Sequence, residues 1–248
     1  MSQNAGQSRS ALITGAAGGM GTAIARALVQ DGCRVILADK DDRKTRALAK
    51  ELGPRSTALI LDVTDGAKVD RLPDLIPEEF RPLDVLVNNA GHDIGGRRRF
   101  DLGSADDWSA IVETNLIGLM RVTRAILPDM VARNTGDIVN MGSINGLRII
   151  PEMAPYSASK AGVHMFTDTL RGELAETGIR VTELHPGLTR TGIILARYRG
   201  DRAQEKAYFD QFKLALDPED VARSVLFALN QPRHVQIAQI VILPVNRF

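Results

Sequence analysis

The sequence predicts an α/β fold in which helices cover both faces of a doubly wound, seven-stranded parallel sheet. Short β-branched or apolar runs recur along the chain, and stretches of helical periodicity separate the early ones, which is typical of βαβ units. The 248 residues and the 44% hydrophobic content suffice for one large core, and no linker or internal repeat divides the chain. This alternation predicts a single domain of the Rossmann type.

Seven runs are predicted as strands: Ala11–Thr14, Arg34–Ala38, Ala58–Leu61, Leu83–Val87, Asp137–Met141, Arg180–Leu184 and Gln239–Leu243. Helical periodicity marks Thr22–Gln30, Arg43–Leu52 and Pro218–Leu229. Residues 1–10 are expected to be a flexible N-terminus, and residues 11–248 form the domain. The polar stretch from Leu188 to Gln211 breaks the rhythm, so segment 188–215 is predicted either as a substrate-side lid or as a surface helix pair.

The overall charge excludes some classes of partner. Basic residues number 31 and acidic residues 30, so the chain lacks the sign asymmetry that nucleic-acid or anionic-membrane binding requires. The polar N-terminus and the absence of any run of ~18 apolar residues favour a cytoplasmic protein. The four histidines show no metal-ligand spacing, so no metal is expected.

A glycine-rich segment, Thr14-Gly-Ala-Ala-Gly-Gly-Met-Gly21, lies between the first strand and the helix that follows it. Glycines allow a tight turn and a close approach to a pyrophosphate, and the helix N-terminus offers N–H groups to the anion. Asp39 ends the second strand, where a carboxylate accepts hydrogen bonds from ribose hydroxyls and repels a 2′-phosphate. This pattern predicts a dinucleotide site that prefers NAD over NADP, although Lys40 and Arg43 leave room for NADP.

Polar residues also follow the next strands. Asp62 ends the third strand and Asn88-Asn-Ala-Gly91 ends the fourth, at the edge where such sheets bind ligands. Asn115 lies inside an apolar helical stretch, where a buried amide needs hydrogen-bond partners. Ser143 follows the fifth strand, and its hydroxyl either holds a substrate oxygen or serves the glycine-rich turn.

Tyr156 and Lys160 lie four residues apart, about one helical turn, so their side chains point the same way. A phenol with its usual pKa of about 10 is a poor base near neutrality, and a neighbouring ammonium stabilises its phenolate. The pair is therefore a candidate general acid/base. The same spacing also occurs in ordinary amphipathic helices, so the interpretation depends on the other motifs.

Together these motifs resemble the short-chain dehydrogenase/reductase family, from Ala11 to near the C-terminus. The matching segments are Thr14–Gly21, Asp62, Asn88–Gly91, Asn115, Ser143, Tyr156 with Lys160, and Pro186-Gly187 with Thr191. The resemblance implies hydride transfer between a secondary alcohol and a nicotinamide. Tyr156 would be the acid/base, and Ser143 would position the reacting oxygen. Lys160 would lower the tyrosine pKa and bind ribose, while Asn115 would hold a water.

The resemblance also implies the binding residues. Those for the cofactor are Gly15, Ala17, Gly18, Gly19, Met20, Gly21, Asp39, Lys40, Asp62, Val63, Asn89, Ala90, Gly91, Tyr156, Lys160, Pro186, Gly187, Leu188, Thr189 and Thr191. Those predicted for the substrate are His92, Ser143, Asn145, Arg148, Met153 and Tyr156. The Arg148 guanidinium suits a carboxylate or sulfonate, or is an ordinary loop arginine. Because the family commonly forms tetramers through its long helices, a homo-oligomer is expected, with the tetramer favoured.

The C-terminal third resembles a narrower subgroup, the 3-hydroxy acid (serine or allo-threonine) dehydrogenases, in the segments Arg197–Asp201, Leu216–Val221 and Pro232–Ile237. That subgroup generally prefers NADP, whereas Asp39 favours NAD. Three functions therefore stay open. The first is an NAD(H)-dependent oxidoreductase acting on a small secondary alcohol, including polar or acidic hydroxy compounds. The second is an NADP-dependent carbonyl or 3-hydroxy acid reductase. The third is a non-catalytic dinucleotide-binding redox sensor.

Overall fold

The computed structural model describes residues 8–212 and 214–245. Its strands are β1 Ser10–Thr14, β2 Arg34–Asp39, β3 Ser56–Ile60, β4 Val85–Asn88, β5 Gly136–Met141, β6 Ile179–Pro186 and β7 Gln239–Ile242. They form one sheet in the order β3-β2-β1-β4-β5-β6-β7, and each neighbouring pair is parallel. The predicted single-domain, seven-stranded parallel Rossmann fold is confirmed.

The α-helices are α1 Gly19–Gln30, α2 Asp42–Leu52, α3 Gly66–Asp70, α4 Leu72–Leu75, α5 Ala105–Val112, α6 Leu119–Arg133, α7 Ala154–Glu173, α8 Ile193–Arg197, α9 Arg202–Asp210 and α10 Pro218–Leu229. A π-helical segment, Glu113–Gly118, joins α5 to α6. Short 3-10 turns lie at Gly53–Arg55, Glu78–Phe80, Phe100–Leu102 and Ile144–Gly146.

The core lies on both faces of the sheet, because successive strand residues point to opposite sides. Ile13 of β1 belongs to a buried cluster with residues of α1, α2 and α10. Its neighbour Leu12 belongs to the opposite cluster, with residues of α6 and α7. Both side chains are fully inaccessible to solvent. The rigid sheet therefore fixes the positions of the loops at its carboxyl edge.

The strand order reverses between β1 and β4, so the crevice that binds ligands in such sheets lies above these two strands. Buried Asn88, at the end of β4, donates hydrogen bonds from Nδ2 to Thr123 Oγ1 and Asn140 Oδ1, both at 2.9 Å. These bonds tie β4 to α6 and β5. Asn88 thus supports the edge on which the site is built.

The structure corrects the N-terminal boundary. The sequence-based interpretation made residues 1–10 flexible, but Ser10 is buried in β1 and its backbone N–H donates to the Asp84 carboxylate at 2.9 Å. Arg9 forms an ion pair with Asp31 at 2.8 Å and donates to the Leu229 carbonyl at 3.0 Å. Together with the hydrogen bond from the Ser8 hydroxyl to the Gly32 carbonyl at 2.6 Å, these contacts attach the chain from residue 8 onward. Residues 1–7 lie outside the described part.

The segment predicted as a lid or helix pair forms α8 and α9, and position 213 within it is not described. Asp201 caps α9, since its carboxylate accepts from the backbone N–H groups of Ala203 and Gln204. Among the helices that the described residues form, none combines the length and apolarity needed to cross a membrane.

Candidate active site

The glycine-rich loop between β1 and α1 is shaped for close approach of a ligand. Gly15 has φ +65°, and a Cβ added to Gly21 would lie 2.2 Å from the Gly15 carbonyl oxygen, so larger residues are excluded. No side chain caps α1 at Gly18, which leaves its N-terminus open to an anion. The loop fits the pyrophosphate of a dinucleotide.

Asp39 holds this loop. Its Oδ2 accepts from the Ala17 backbone N–H and its Oδ1 from that of Asp41, both at 3.0 Å. Asp41, and not Asp39, caps α2, because its carboxylate accepts from the Lys44 N–H. The carboxylate of Asp39 is therefore held beside the loop, where the sequence predicts the adenosine ribose. Lys40 is exposed next to it.

The loop after β4 fastens the other side of the glycine loop. Asn89 Nδ2 donates to the carbonyl oxygens of Thr14 and Gly15 at 3.0 Å. The Thr14 hydroxyl accepts from the backbone N–H of Ala90 at 3.1 Å. Asn89 and Ala90 thus hold the glycine loop in place.

Asp62 and Val63 follow β3 at the same edge. Burial would raise the Asp62 pKa, but hydrogen bonds from the backbone and hydroxyl of Thr64 outweigh it, so the pKa lies below its usual value. Val63 is buried against Gly118, where a Cβ would lie 2.7 Å from Val63 Cγ2. Both residues follow the carboxyl end of β3, and their contact with a cofactor stays a prediction.

Asn115 lies in the π-helical segment that joins α5 to α6. It is fully buried; its Oδ1 accepts from the His92 N–H at 2.9 Å, and its Nδ2 donates to His92 O and to Ser159 Oγ. A Cβ on Gly91 would lie 3.0 Å from Asn115 Oδ1 and 3.7 Å from Lys160 Nζ. The asparagine and the lysine therefore converge on Gly91.

Ser143, Tyr156 and Lys160 come together between β5 and α7. Burial and the negative charge of Asp93 raise the pKa of the Tyr156 phenol, while a hydrogen bond with Ser143 and the positive charge of Arg197 oppose the rise. Burial lowers the pKa of Lys160 to about 8. Its Nζ donates to the Met141 carbonyl at 2.8 Å and lies 5.9 Å from the centre of the Tyr156 ring.

A cavity of about 510 Å³ opens beside these residues. Its lining includes the predicted residues Met20, Ser143, Asn145, Arg148, Met153, Tyr156, Pro186, Gly187, Leu188, Thr189 and Thr191. Thr191 also packs against the glycine loop, since a Cβ on Gly19 would lie 3.2 Å from Thr191 Cγ2. His92 is not in the lining: its ring Nε2 lies 3.1 Å from Thr114 Oγ1, and its backbone bonds Asn115. The structure thus gathers the predicted substrate residues except His92.

The cavity contains a buried ion pair that the sequence interpretation missed. Arg197 of α8 donates from Nε and Nη2 to Asp93 Oδ2 at 2.8 and 2.6 Å, and its guanidinium lies 4.8 Å from the centre of the Tyr208 ring. The partners are 104 residues apart in sequence, so no local spacing marks them. The only sequence signals are the position of Asp93 just past Gly91 and the polar character of the Arg197 segment.

Three comparisons with known proteins bear on this geometry. The family model described as short chain dehydrogenase matches residues 9–200. An uncharacterized oxidoreductase of Staphylococcus aureus (strain N315) is 35% identical over 236 residues, which cover 95% of this chain and 96% of the relative.

Two solved structures are similar throughout. The closed form of a serine dehydrogenase complexed with NADP⁺ is 36% identical, with a TM-score of 0.93 and 96% of each chain covered. The 3-ketoacyl-(acyl-carrier-protein) reductase of Brucella melitensis complexed with NADH is 28% identical, with a TM-score of 0.85 and coverage of 96% and 98%.

The glycine loop, the group formed by Ser143, Tyr156 and Lys160, and the cavity beside them occupy the carboxyl edge of one parallel sheet. The family model spans most of the chain, and the relatives match nearly its full length. This chain belongs to the short-chain dehydrogenase/reductase family of oxidoreductases.

Proposed function

We propose that the protein is an NAD(H)-dependent oxidoreductase that interconverts a small secondary alcohol and its carbonyl compound. The observation that carries the proposal is the convergence of Ser143 and Tyr156 on one cavity, with Lys160 behind them and the glycine loop beside them. A bound nicotinamide would accept or supply the hydride. A protein that only senses a dinucleotide needs no acid/base beside it.

The chain's own groups handle the proton. In carbonyl reduction, the protonated Tyr156 phenol donates a proton to the substrate oxygen, and its raised pKa keeps it protonated near neutrality. In alcohol oxidation, the phenolate accepts that proton, and the positive charge of Lys160 would stabilise the phenolate. The Ser143 hydroxyl, hydrogen-bonded with Tyr156, orients the reacting oxygen.

The charges around the cavity favour a polar or acidic hydroxy compound. Guanidinium groups are the commonest charged groups in its lining: Arg97, which contacts Glu152 at 3.7 Å, Arg148, and Arg197, which pairs with Asp93. A guanidinium binds carboxylates in a bidentate manner. The similar structure of a serine dehydrogenase, whose name indicates an amino acid with a hydroxyl, supports the same substrate class.

Asp39 supports NAD, because its carboxylate would meet the 2′-phosphate of NADP with like charge. NADP is a second candidate, since the similar serine dehydrogenase was complexed with NADP⁺ and Lys40 is exposed beside Asp39. We expect the wild-type protein to have the higher kcat/KM with NAD and Asp39→Ala to shift the ratio toward NADP. The control is Asp42→Ala, which removes an exposed carboxylate paired with Arg46.

The function is tested by following reduced nicotinamide with a panel of secondary alcohols and hydroxy acids. Turnover in the wild type and its loss in Tyr156→Phe would support the proposal. Binding of NADH without turnover on any member of the panel would contradict it and favour a sensor. A higher kcat/KM with NADP than with NAD would overturn the interpretation of Asp39 alone.

A homo-oligomer, with the tetramer favoured, is part of the proposal. Met120 and Val131 of α6 and Met165 of α7 are exposed apolar side chains on the long helices. Light scattering coupled to size-exclusion chromatography measures the mass directly. A monomer at micromolar concentration would contradict the prediction.

A further inference from the structure

Three side chains with metal-ligand chemistry meet between α7 and β6, beneath the Ser143 turn. His164 Nδ1 lies 2.9 Å from Glu183 Oε2, and His185 Nε2 lies 3.3 Å from the same oxygen. One ligand atom from each residue lies within 4.8 Å of the others. Glu183 and His185 are two residues apart on one strand and share a face, while His164 comes from a helix, so histidine spacing in the sequence could not reveal the group.

The group is buried and incompletely satisfied. Glu183 and His185 are fully inaccessible, and Glu183 Oε1 has no hydrogen-bond partner. Among the described residues, the ion-pair contacts of Glu183 within 4.0 Å are with these two histidines alone; the buried Lys160 ammonium, whose charged form Glu183 favours, lies farther away. A carboxylate removed from water requires a cation or several donors close to it.

The hydrogen bonding of His185 sharpens this requirement. Its Nδ1 lies 3.3 Å from the Ser143 carbonyl oxygen, which can only accept, so Nδ1 carries the proton of a neutral ring. Nε2 then presents a lone pair to Glu183 Oε2 at 3.3 Å. Two acceptors that face each other in a dry interior repel unless a cation lies between them.

The donor set suits Zn²⁺. Two imidazole nitrogens and one carboxylate are ligands that zinc prefers, and bonds of about 2.0–2.1 Å in a tetrahedron place ligand atoms roughly 3.3 Å apart. Zinc-bound histidines usually donate their second N–H to a carbonyl or carboxylate. Here the Ser143 carbonyl faces His185 Nδ1, and Asp168 Oδ2 lies 4.0 Å from His164 Nε2. The side chain of His164 is 23% exposed, which gives access for the ion and for a water ligand.

We propose that His164, Glu183 and His185 form a Zn²⁺ site that fastens β6 to α7 behind the Ser143 turn. This site is separate from the cavity at Tyr156, and the ion contacts no substrate. Its role is structural: it holds the strand and the helix that carry the active-site groups. The sequence-based expectation of no metal is revised by the proposal.

The test is a titration of the chelator-treated full-length protein with ZnCl₂ in a calorimeter, together with metal analysis after dialysis. We expect one Zn²⁺ per chain, a rise in Tm on binding, and intense visible absorption with Co²⁺, which indicates tetrahedral coordination. His164→Ala and Glu183→Gln should each weaken Zn²⁺ binding by at least about 100-fold, beyond the cost of losing an outer-shell partner. His234→Ala removes an exposed histidine outside the group and should bind as the wild type does.

Wild-type binding no tighter than that of His164→Ala would overturn the proposal, and so would equal loss in His234→Ala. Should the buried Glu183→Gln variant fail to fold, the His164→Ala variant, at a partly exposed position, decides the outcome alone. None of these measurements uses enzyme activity, so they do not depend on the proposed function.

Discussion

The two halves of the active-site cleft are held in different ways. On the cofactor side, the side chains of Asp39 and Asn89 form hydrogen bonds of about 3.0 Å with the backbone of the glycine loop. Residues at the ends of β2 and β4 therefore hold the loop that follows β1. On the substrate side, the buried pair of Asp93 and Arg197 joins the loop after β4 to α8, and Asp93 Oδ1 and Arg197 Nη1 lack partners.

The difference shows how one fold serves two tasks. Backbone hydrogen bonds fix a surface that accepts one kind of ligand. A buried ion pair with unused hydrogen-bonding groups leaves capacity for a polar substrate, at a cost in stability. Substitutions on the cofactor side should therefore alter the shape of the glycine loop. Substitution of Asp93 or Arg197 on the substrate side should leave the other residue with a buried charge and no counterion.

The largest effect is expected at Tyr156, the proposed acid/base between the two halves. Tyr156→Phe should lower kcat by about 10²–10⁴-fold, because the proton donor is lost while the loops that hold the dinucleotide are unchanged. Steady-state kinetics and dinucleotide titration measure the two effects separately. Tyr198→Phe, in the segment after α8, is the control. A loss of kcat shared by both variants would refute the special role of Tyr156.

Next in size is the removal of one partner of the buried pair. Asp93→Asn should lower the free energy of unfolding by about 3–5 kcal/mol, because Arg197 keeps its charge without a counterion. Urea denaturation measures the change. Asp101→Asn breaks an exposed pair with Arg99 and should have no measurable effect. Equal changes in the free energy of unfolding for the two variants would contradict the special role of the buried pair on the substrate side.

On the cofactor side, Gly21→Ala should lower the free energy of unfolding by about 1–3 kcal/mol and weaken dinucleotide binding, since the new Cβ meets Gly15 O at 2.2 Å. Gly172→Ala in α7 has open space around its Cβ and should raise stability by up to about 1 kcal/mol. Denaturation and cofactor titration compare them. Intact dinucleotide binding in Gly21→Ala would show that loop shape does not define the site.

An effect of about the same size as that of Gly21→Ala concerns the buried Lys160. Burial lowers its pKa from 10.5 to about 8, so holding its charge costs stability below pH 8, and the cost is relieved as the pH rises from 8 to 10.5. The change in pKa corresponds to roughly 3 kcal/mol, and the loss of the hydrogen bond to the Met141 carbonyl offsets about 1 kcal/mol of it. Lys160→Met should therefore raise the free energy of unfolding by about 2 kcal/mol at pH 7, with a gain that shrinks toward pH 10. Denaturation at several pH values tests this, and a gain that grows with pH would contradict it.

The fold and the shared chemistry could be predicted from the sequence because both depend on local patterns. The runs around Ile13 and Leu12 read as a strand buried on both faces, and the glycine loop is contiguous. Every predicted strand is present, with ends shifted by a few residues. The pair Tyr156 and Lys160 lies within one turn of one helix.

The rest depends on long-range packing. Asp93 and Arg197 meet only because α8 folds back over the cavity, and His164 meets Glu183 only because α7 packs on β6. Asn115 lies in a π-helical segment, whereas the sequence around it reads as an ordinary apolar helix. His92 is predicted from the sequence as a substrate residue, but its ring contacts the Thr114 hydroxyl and does not line the cavity.

The most direct test of the account follows the hydride itself. A hydroxy compound on which the enzyme turns over is labelled with deuterium at the carbinol carbon, and the nicotinamide formed from NAD is analysed by mass spectrometry. The account predicts that the reduced cofactor carries the deuterium and that Tyr156→Phe forms far less of it. Reduced cofactor without the label, or the same yield in Tyr156→Phe, would contradict it.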